Sequence, residues 1–124
     1  MIEEVEMPTY RHLELLSRGP VSRVRLLNHR TFCAQEVAEL TSEWNSVVDR
    51  ADCQTLFLDC STVQFMGSEM LSKLILLQRR LKQKEGKLIL CGLRPEVWDV
   101  LSWTKLDRFF EIKEDEGQVV AMSA

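Results

Sequence analysis

Two short unbroken apolar runs, Leu56-Phe57-Leu58 and Leu88-Ile89-Leu90, most constrain what this chain can fold into. Each is bounded by polar or turn-forming residues and is too short for a buried helix. A continuous run of this length fits a strand covered on both faces. Between them, from about Ser68 to Lys84, Leu71, Leu74, Ile75 and Leu81 recur at the spacing of one helical face. Strand, helix, strand with both strands buried predicts a parallel pair joined by a crossover.

The same grammar extends outward. A helix is predicted over roughly Phe32 to Arg50, with Cys33, Val37, Leu40, Trp44, Val47 and Val48 on its stripe. Upstream, Tyr10, His12 and Glu14 alternate with Arg11, Leu13 and Leu15, the period of a strand. Arg18-Gly19-Pro20 reads as a turn. A second strand follows, with Val21, Val24, Leu26 and Leu27 as its apolar residues, so the two segments suit an antiparallel hairpin. Gly86 ends the second helix, whose last turns carry Arg79, Arg80, Lys82 and Lys84 against the negative end of the dipole. Pro95 opens a short third helix with Val97, Val100, Leu101 and Trp98, and Phe109 to Ile112 reads as a last strand. The predicted class is α/β: one domain over residues 10–124, a mixed sheet of about five strands, and helices packed mainly on one side. Residues 1–9 are expected to form a loose arm, and the tail from Lys113 is acidic and then small.

Composition narrows the function. The formal net charge of -3 offers no basic field for nucleic acid and no polybasic anchor for acidic lipid. The acidic start lacks the pattern of a secretory signal, and no apolar stretch spans a bilayer, so a cytoplasmic protein without direct membrane insertion is expected. The four cysteines then read as reduced thiols, mostly small buried hydrophobes. His12 and His29 lack ligand spacing to any cysteine, so neither a metal nor another cofactor is expected. Phosphate-binding glycine loops, H-E-x-x-H and G-x-S-x-G are all missing, and the chain does not read as an enzyme.

The stretch from Leu56 to Ile112 resembles the STAS family of anti-sigma-factor antagonists. Leu56 to Met66 looks like that family's central strand and following turn, Gly86 to Leu93 like the next strand and loop, and Pro95 to Leu106 like the short helix and its exit. The N-terminal half fits by order of elements. Gly67-Ser68-Glu69-Met70-Leu71 falls where antagonists usually carry Asp-Ser-Ser/Thr-Gly-Leu. The resemblance implies a non-catalytic regulatory module. It would dock on an anti-sigma factor with serine kinase activity through the start of the second helix, with Asp59, Met66, Gly67, Ser68, Glu69 and Met70 as the binding and regulatory residues. In the family the kinase phosphorylates a Ser/Thr at that helix start, where unpaired N–H groups hold an anion. The added charge of about -2 then disturbs docking. Here Gly67 stands at the usual aspartate, Glu69 at the usual phosphoacceptor and Met70 at the usual glycine. Glu69 therefore imitates the phosphorylated state, or Ser68 is modified instead. An altered motif also suits a cytosolic subunit of a lipid-transporting ABC complex docked on its ATPase. A monomer or weak dimer is expected.

Each residue also has a plainer reading. Glu69 in a first helical turn contributes about 0.3–1 kcal/mol through the dipole. Ser68 reads as an N-cap and Gly67 as a turn residue. Asp59 caps a loop locally, and Met66 and Met70 are either an adaptable docking patch or core filling. Trp44 keeps the helix period and belongs to a core; Trp98 and Trp103 are open between packing and interface.

Overall fold

The computed structural model describes residues 10–27 and 33–113. The first strand, β1, is Leu13–Ser17, and β2 is Val21–Leu26. They pair antiparallel around Gly19, whose φ of +127° few side chains tolerate. Leu16 is the extra residue where the register slips between Leu15 and Ser17, and it stays exposed. The rest of the chain alternates: α1 (Ala34–Val48), β3 (Thr55–Asp59), α2 (Ser68–Gln83), β4 (Lys87–Cys91), α3 (Pro95–Trp103), a 3-10 turn at Leu106–Arg108, and β5 (Glu111–Lys113).

The sheet order is β1-β2-β3-β4-β5, with β2 through β5 parallel. Each crossover thus steps one strand in the same direction. Right-handed crossovers that never reverse direction leave every helix on one face of the sheet. The core follows suit. Val24 and Leu26, Leu56 and Leu58, and Leu88 and Leu90 form one cluster with Leu40 and Trp44 of α1, Leu74 and Leu77 of α2, and Val97 and Leu101 of α3. Alternation sends Phe57 and Ile89, paired in register, to the other face, where they form a separate small cluster. The Arg23 guanidinium lies 5.1 Å from the centre of the Phe57 ring there.

Two turns hold the ends of this layer. Glu85 adopts a left-handed φ of 60° after α2, and the Gly86 N–H returns to Leu81 O at 2.8 Å. A Cβ on Gly86 would sit 2.0 Å from Gln54 O, so glycine is required where the α2–β4 turn crosses the start of β3. Lys84 donates from Nζ to Val48 O and to Arg50 O (2.7 Å), closing the carboxyl end of α1. Arg80 grips Asp49 through Nε and Nη2 at 2.9 and 3.1 Å. Two members of the basic run read as a dipole partner for its own helix, Arg80 and Lys84, thus serve the neighbouring helix.

Several sequence expectations need correction. Cys33 is the exposed N-cap of α1 and not part of its buried stripe. Val21 points outward, and Ser22 takes the inward place, its hydroxyl donating to Gly19 O. The last strand begins two residues late: Phe109 and Phe110 belong to the turn, and Phe110 alone is buried. The expected arm (1–9), His29, Phe32 and the acidic tail lie outside the described residues.

Candidate functional site

The candidate site lies at the carboxyl ends of β3 and β4, in the loops that follow them. Its base is Asp59. Oδ1 accepts the Ser61 N–H at 2.9 Å, and Oδ2 accepts Arg25 Nε at 3.1 Å. Arg25 reaches on to Glu14 Oε1 at 3.3 Å, tying the loop after β3 to the hairpin. Gly92 approaches closely from β4. Its φ is +69°, and a Cβ there would lie 2.9 Å from Asp59 Oδ1. Arg94 Nη1 donates to Ser61 O at 3.2 Å, tying the loop after β4 to the loop after β3. Asp59 therefore does the local capping work of its plainer reading and lies behind the site.

From Cys60 to Met70 the chain alternates between anchor and surface. The Cys60 N–H continues the ladder to Cys91 O at 2.9 Å. Its thiol is fully buried, and burial, then the neighbouring Cys91 and Asp59, pushes its pKa far above the usual thiol range. Val63, Met66 and Met70 enter the core, the two methionines at 1% and 2% exposure. Both methionines therefore fill the core and shape the turn from beneath. Gln64, Phe65, Ser68 and Glu69 face outward. Phe65 is 53% exposed, a large apolar ring standing beside the helix start. Sequence reading passed over it, because only the path of the loop decides whether Val63 or Phe65 turns inward.

The helix start departs from expectation at two residues. The N-cap of α2 is Gly67, and Ser68 is already the first helical residue. No side chain caps the helix. Among the described residues, the Ser68 hydroxyl has no hydrogen-bond partner. Gly67 has φ -83° and ψ 177°, extended backbone open to any residue, and a Cβ there would meet only the Phe65 ring edge at 3.4 Å. Glycine is thus not demanded by the turn. The first turn of α2 presents uncapped N–H groups to solvent with Glu69 as its acidic residue.

The tryptophans divide. Trp44 is core, Trp98 is partly exposed, and Trp103 is 87% exposed at the end of α3. His12 is buried against Glu39, Nε2 to Oε1 at 2.7 Å. Among the described residues, no three His, Cys, Asp or Glu gather as a metal site, and no helix is long and apolar enough to cross a membrane.

A model of the STAS domain matches residues 28–119. No curated protein matches by sequence. Among solved structures, the chain is similar to a STAS-domain anti-sigma-factor antagonist from Planctomyces limnophilus. The two are 20% identical with a TM-score of 0.77, covering 90% of this chain and 98% of that one. It is also similar to the phosphorylated form of the Bacillus cell fate determinant SpoIIAA (17% identity, TM-score 0.64, 90% and 97% covered). A third is a serine-to-glutamate form of RsbS from Moorella thermoacetica (17% identity, TM-score 0.72, 90% and 94% covered). These likenesses establish the fold.

Proposed function

The chain belongs to the STAS domain family, and from that premise we propose that it is a non-catalytic regulatory module docking on an anti-sigma factor or related signalling kinase. The docking surface is the start of α2 and the loop before it: Phe65, Gly67, Ser68 and Glu69, seated on Met66 and Met70. The observation that carries this reading is the uncapped first turn of α2, with the Ser68 and Glu69 side chains exposed and in no hydrogen bond or ion pair among the described residues, beside the exposed Phe65 ring. An apolar anchor next to unpaired N–H donors and one carboxylate is interface chemistry.

Glu69 sets the module's state. Its single negative charge stands at the helix end where a phosphoryl group would add about two. The surface is then held in one electrostatic condition, with Ser68 as the residue a kinase can still reach. Asp59, Arg25, Gly92 and Arg94 support the surface by locking the two loops together.

The test is co-purification of the tagged chain from its native cells, followed by binding measurements on the recovered partner. Recovery of an anti-sigma kinase is expected, with affinity changed by Glu69→Ser, Glu69→Ala and Phe65→Ala. Unchanged affinity in all three variants would remove the start of α2 as the docking surface. Recovery of an ABC ATPase with membrane components would move the module to lipid transport.

A further inference from the structure

At the opposite end of the sheet, independent of the docking surface, lies a cavity of about 270 Å³. It is walled by Gln78 and Lys82 of α2, Lys87 and Leu88 of β4, and the turn Arg108-Phe109-Phe110 leading to Glu111. Gln78 and Lys82 lie 10 and 14 residues beyond Ser68, so the cavity is roughly 15–21 Å along the helix from the proposed docking surface.

Three cations meet one carboxylate here. Lys87 Nζ is 3.8 Å from Glu111 Oε1, an open pair with both side chains solvated. Among the described residues, neither Lys82 nor Arg108 has an ion-pair partner. The lining residues therefore carry three positive charges against the one carboxylate of Glu111, an excess of two. The remaining polar member is Gln78, only 5% exposed. Its Nε2 donates to Phe109 O at 2.7 Å, which fixes the carboxamide and holds the turn against α2. Among the described residues its Oε1 accepts no hydrogen bond, and Gln78 lines the cavity, so this oxygen is left for a donor. Burying an amide with only one of its four hydrogen-bonding positions used is costly unless water or a ligand completes it. Phe109 is partly exposed and meets the buried Phe110 edge-on, with centroids 5.1 Å apart, so one ring lines the mouth while the other anchors the turn.

We propose that this cavity binds a small phosphate monoester that also carries a hydroxyl group. The dianion matches the excess of two positive charges, the Arg108 guanidinium offers a fork suited to phosphoryl oxygens, and the hydroxyl donates to Gln78 Oε1. Neutral sugars lack the anion, and inorganic phosphate has only its own P–OH to offer the carboxamide while its other oxygens serve the cations.

The experiment is an ¹⁵N–¹H correlation titration of the full chain with ribose 5-phosphate, inorganic phosphate, ribose and a phosphoserine peptide. Saturable shifts are expected for ribose 5-phosphate at the Gln78 side-chain amide, Lys87, Leu88 and Phe109 to Glu111. Binding should be weaker for inorganic phosphate and absent for ribose. Lys82→Gln and Arg108→Gln, both exposed and outside the core, should each weaken binding by about tenfold or more, the loss of one charge-assisted hydrogen bond. Glu111→Gln should tighten it, and Lys73→Gln, elsewhere on α2, should leave it unchanged. The assignment is overturned by non-saturable shifts, by equal affinity in the Arg108 variant, or by ribose binding as well as its phosphate. Tighter binding of the phosphoserine peptide would overturn the small-molecule assignment and make the cavity a protein-docking site.

Discussion

Replacing Gly67 by serine should stabilise the protein, because the structure already holds that residue where an N-cap belongs. Its backbone is extended at φ -83° and ψ 177°, as a capping residue requires, and no side chain satisfies the first turn of α2. A serine hydroxyl there can accept an N–H from Glu69 or Met70, the second and third residues of the helix. Exchanging glycine for a good cap gains a few tenths of a kcal/mol. Removing glycine from the unfolded chain at a compatible φ adds about 0.4–1 kcal/mol. The only steric demand is the contact with the Phe65 ring edge at 3.4 Å, an ordinary distance to a mobile, exposed group. The sum is about 0.5–1.5 kcal/mol. For a chain of this size that raises Tm by several degrees, about 2–6 °C. Urea unfolding at equilibrium should show a higher midpoint with an unchanged slope. Gly67→Ala shares the entropic gain but lacks the oxygen, so it must fall below Gly67→Ser. Equal stability of the two would refute the cap, and a lower midpoint for Gly67→Ser would refute the reading of this turn as unstrained.

Gly86→Ala should do the reverse, costing about 2–4 kcal/mol in the same urea assay, since its Cβ would press to 2.0 Å of Gln54 O and break the Lys87 N–H bond to that carbonyl; a cost under about 0.5 kcal/mol would contradict the close crossing. In native protein one thiol, Cys33, should react quickly with a disulfide reagent, while Cys53, Cys60 and Cys91 wait for unfolding; more than one fast thiol would place the β3 and β4 ends nearer solvent than the structure does. The Glu39 carboxyl should titrate below its ordinary value of 4.5, held down first by the His12 ring, then by Gln35, with Arg11 also favouring the charged form. Because the folded pKa is the lower one, this contribution to stability is present above the unfolded pKa and is lost as pH falls through the folded value. Carboxyl ¹³C shifts should place the midpoint below 4.5, and His12→Ala should raise it; no change in that variant would remove His12 as the cause.

The sequence by itself determined the order and kind of the elements. Three-residue apolar runs bounded by polar or turn residues fit buried strands, and leucines at intervals of three and four fit one side of a helix, so β3, α2 and β4 were legible within a residue or two. The alternation also determined the parallel sheet, since each crossover has one favoured hand. The position of an anomalous motif at Gly67 to Met70 could be read as well, because resemblance needs only the linear order of residues. Tertiary structure decided what each of those residues is used for. Whether Val63 or Phe65 turns inward, whether Ser68 or Gly67 caps α2, and whether Met66 and Met70 are surface or core depend on where the loop lands on the sheet. Such choices rest on contacts between residues far apart in the chain, such as Gly92 on Asp59 and Arg94 on Ser61. The cavity of Lys82, Lys87 and Arg108 was equally hidden. Its charges come from a helix, a strand and a turn whose approach is set by packing, and packing energies act through space while periodicity records only neighbours along the chain.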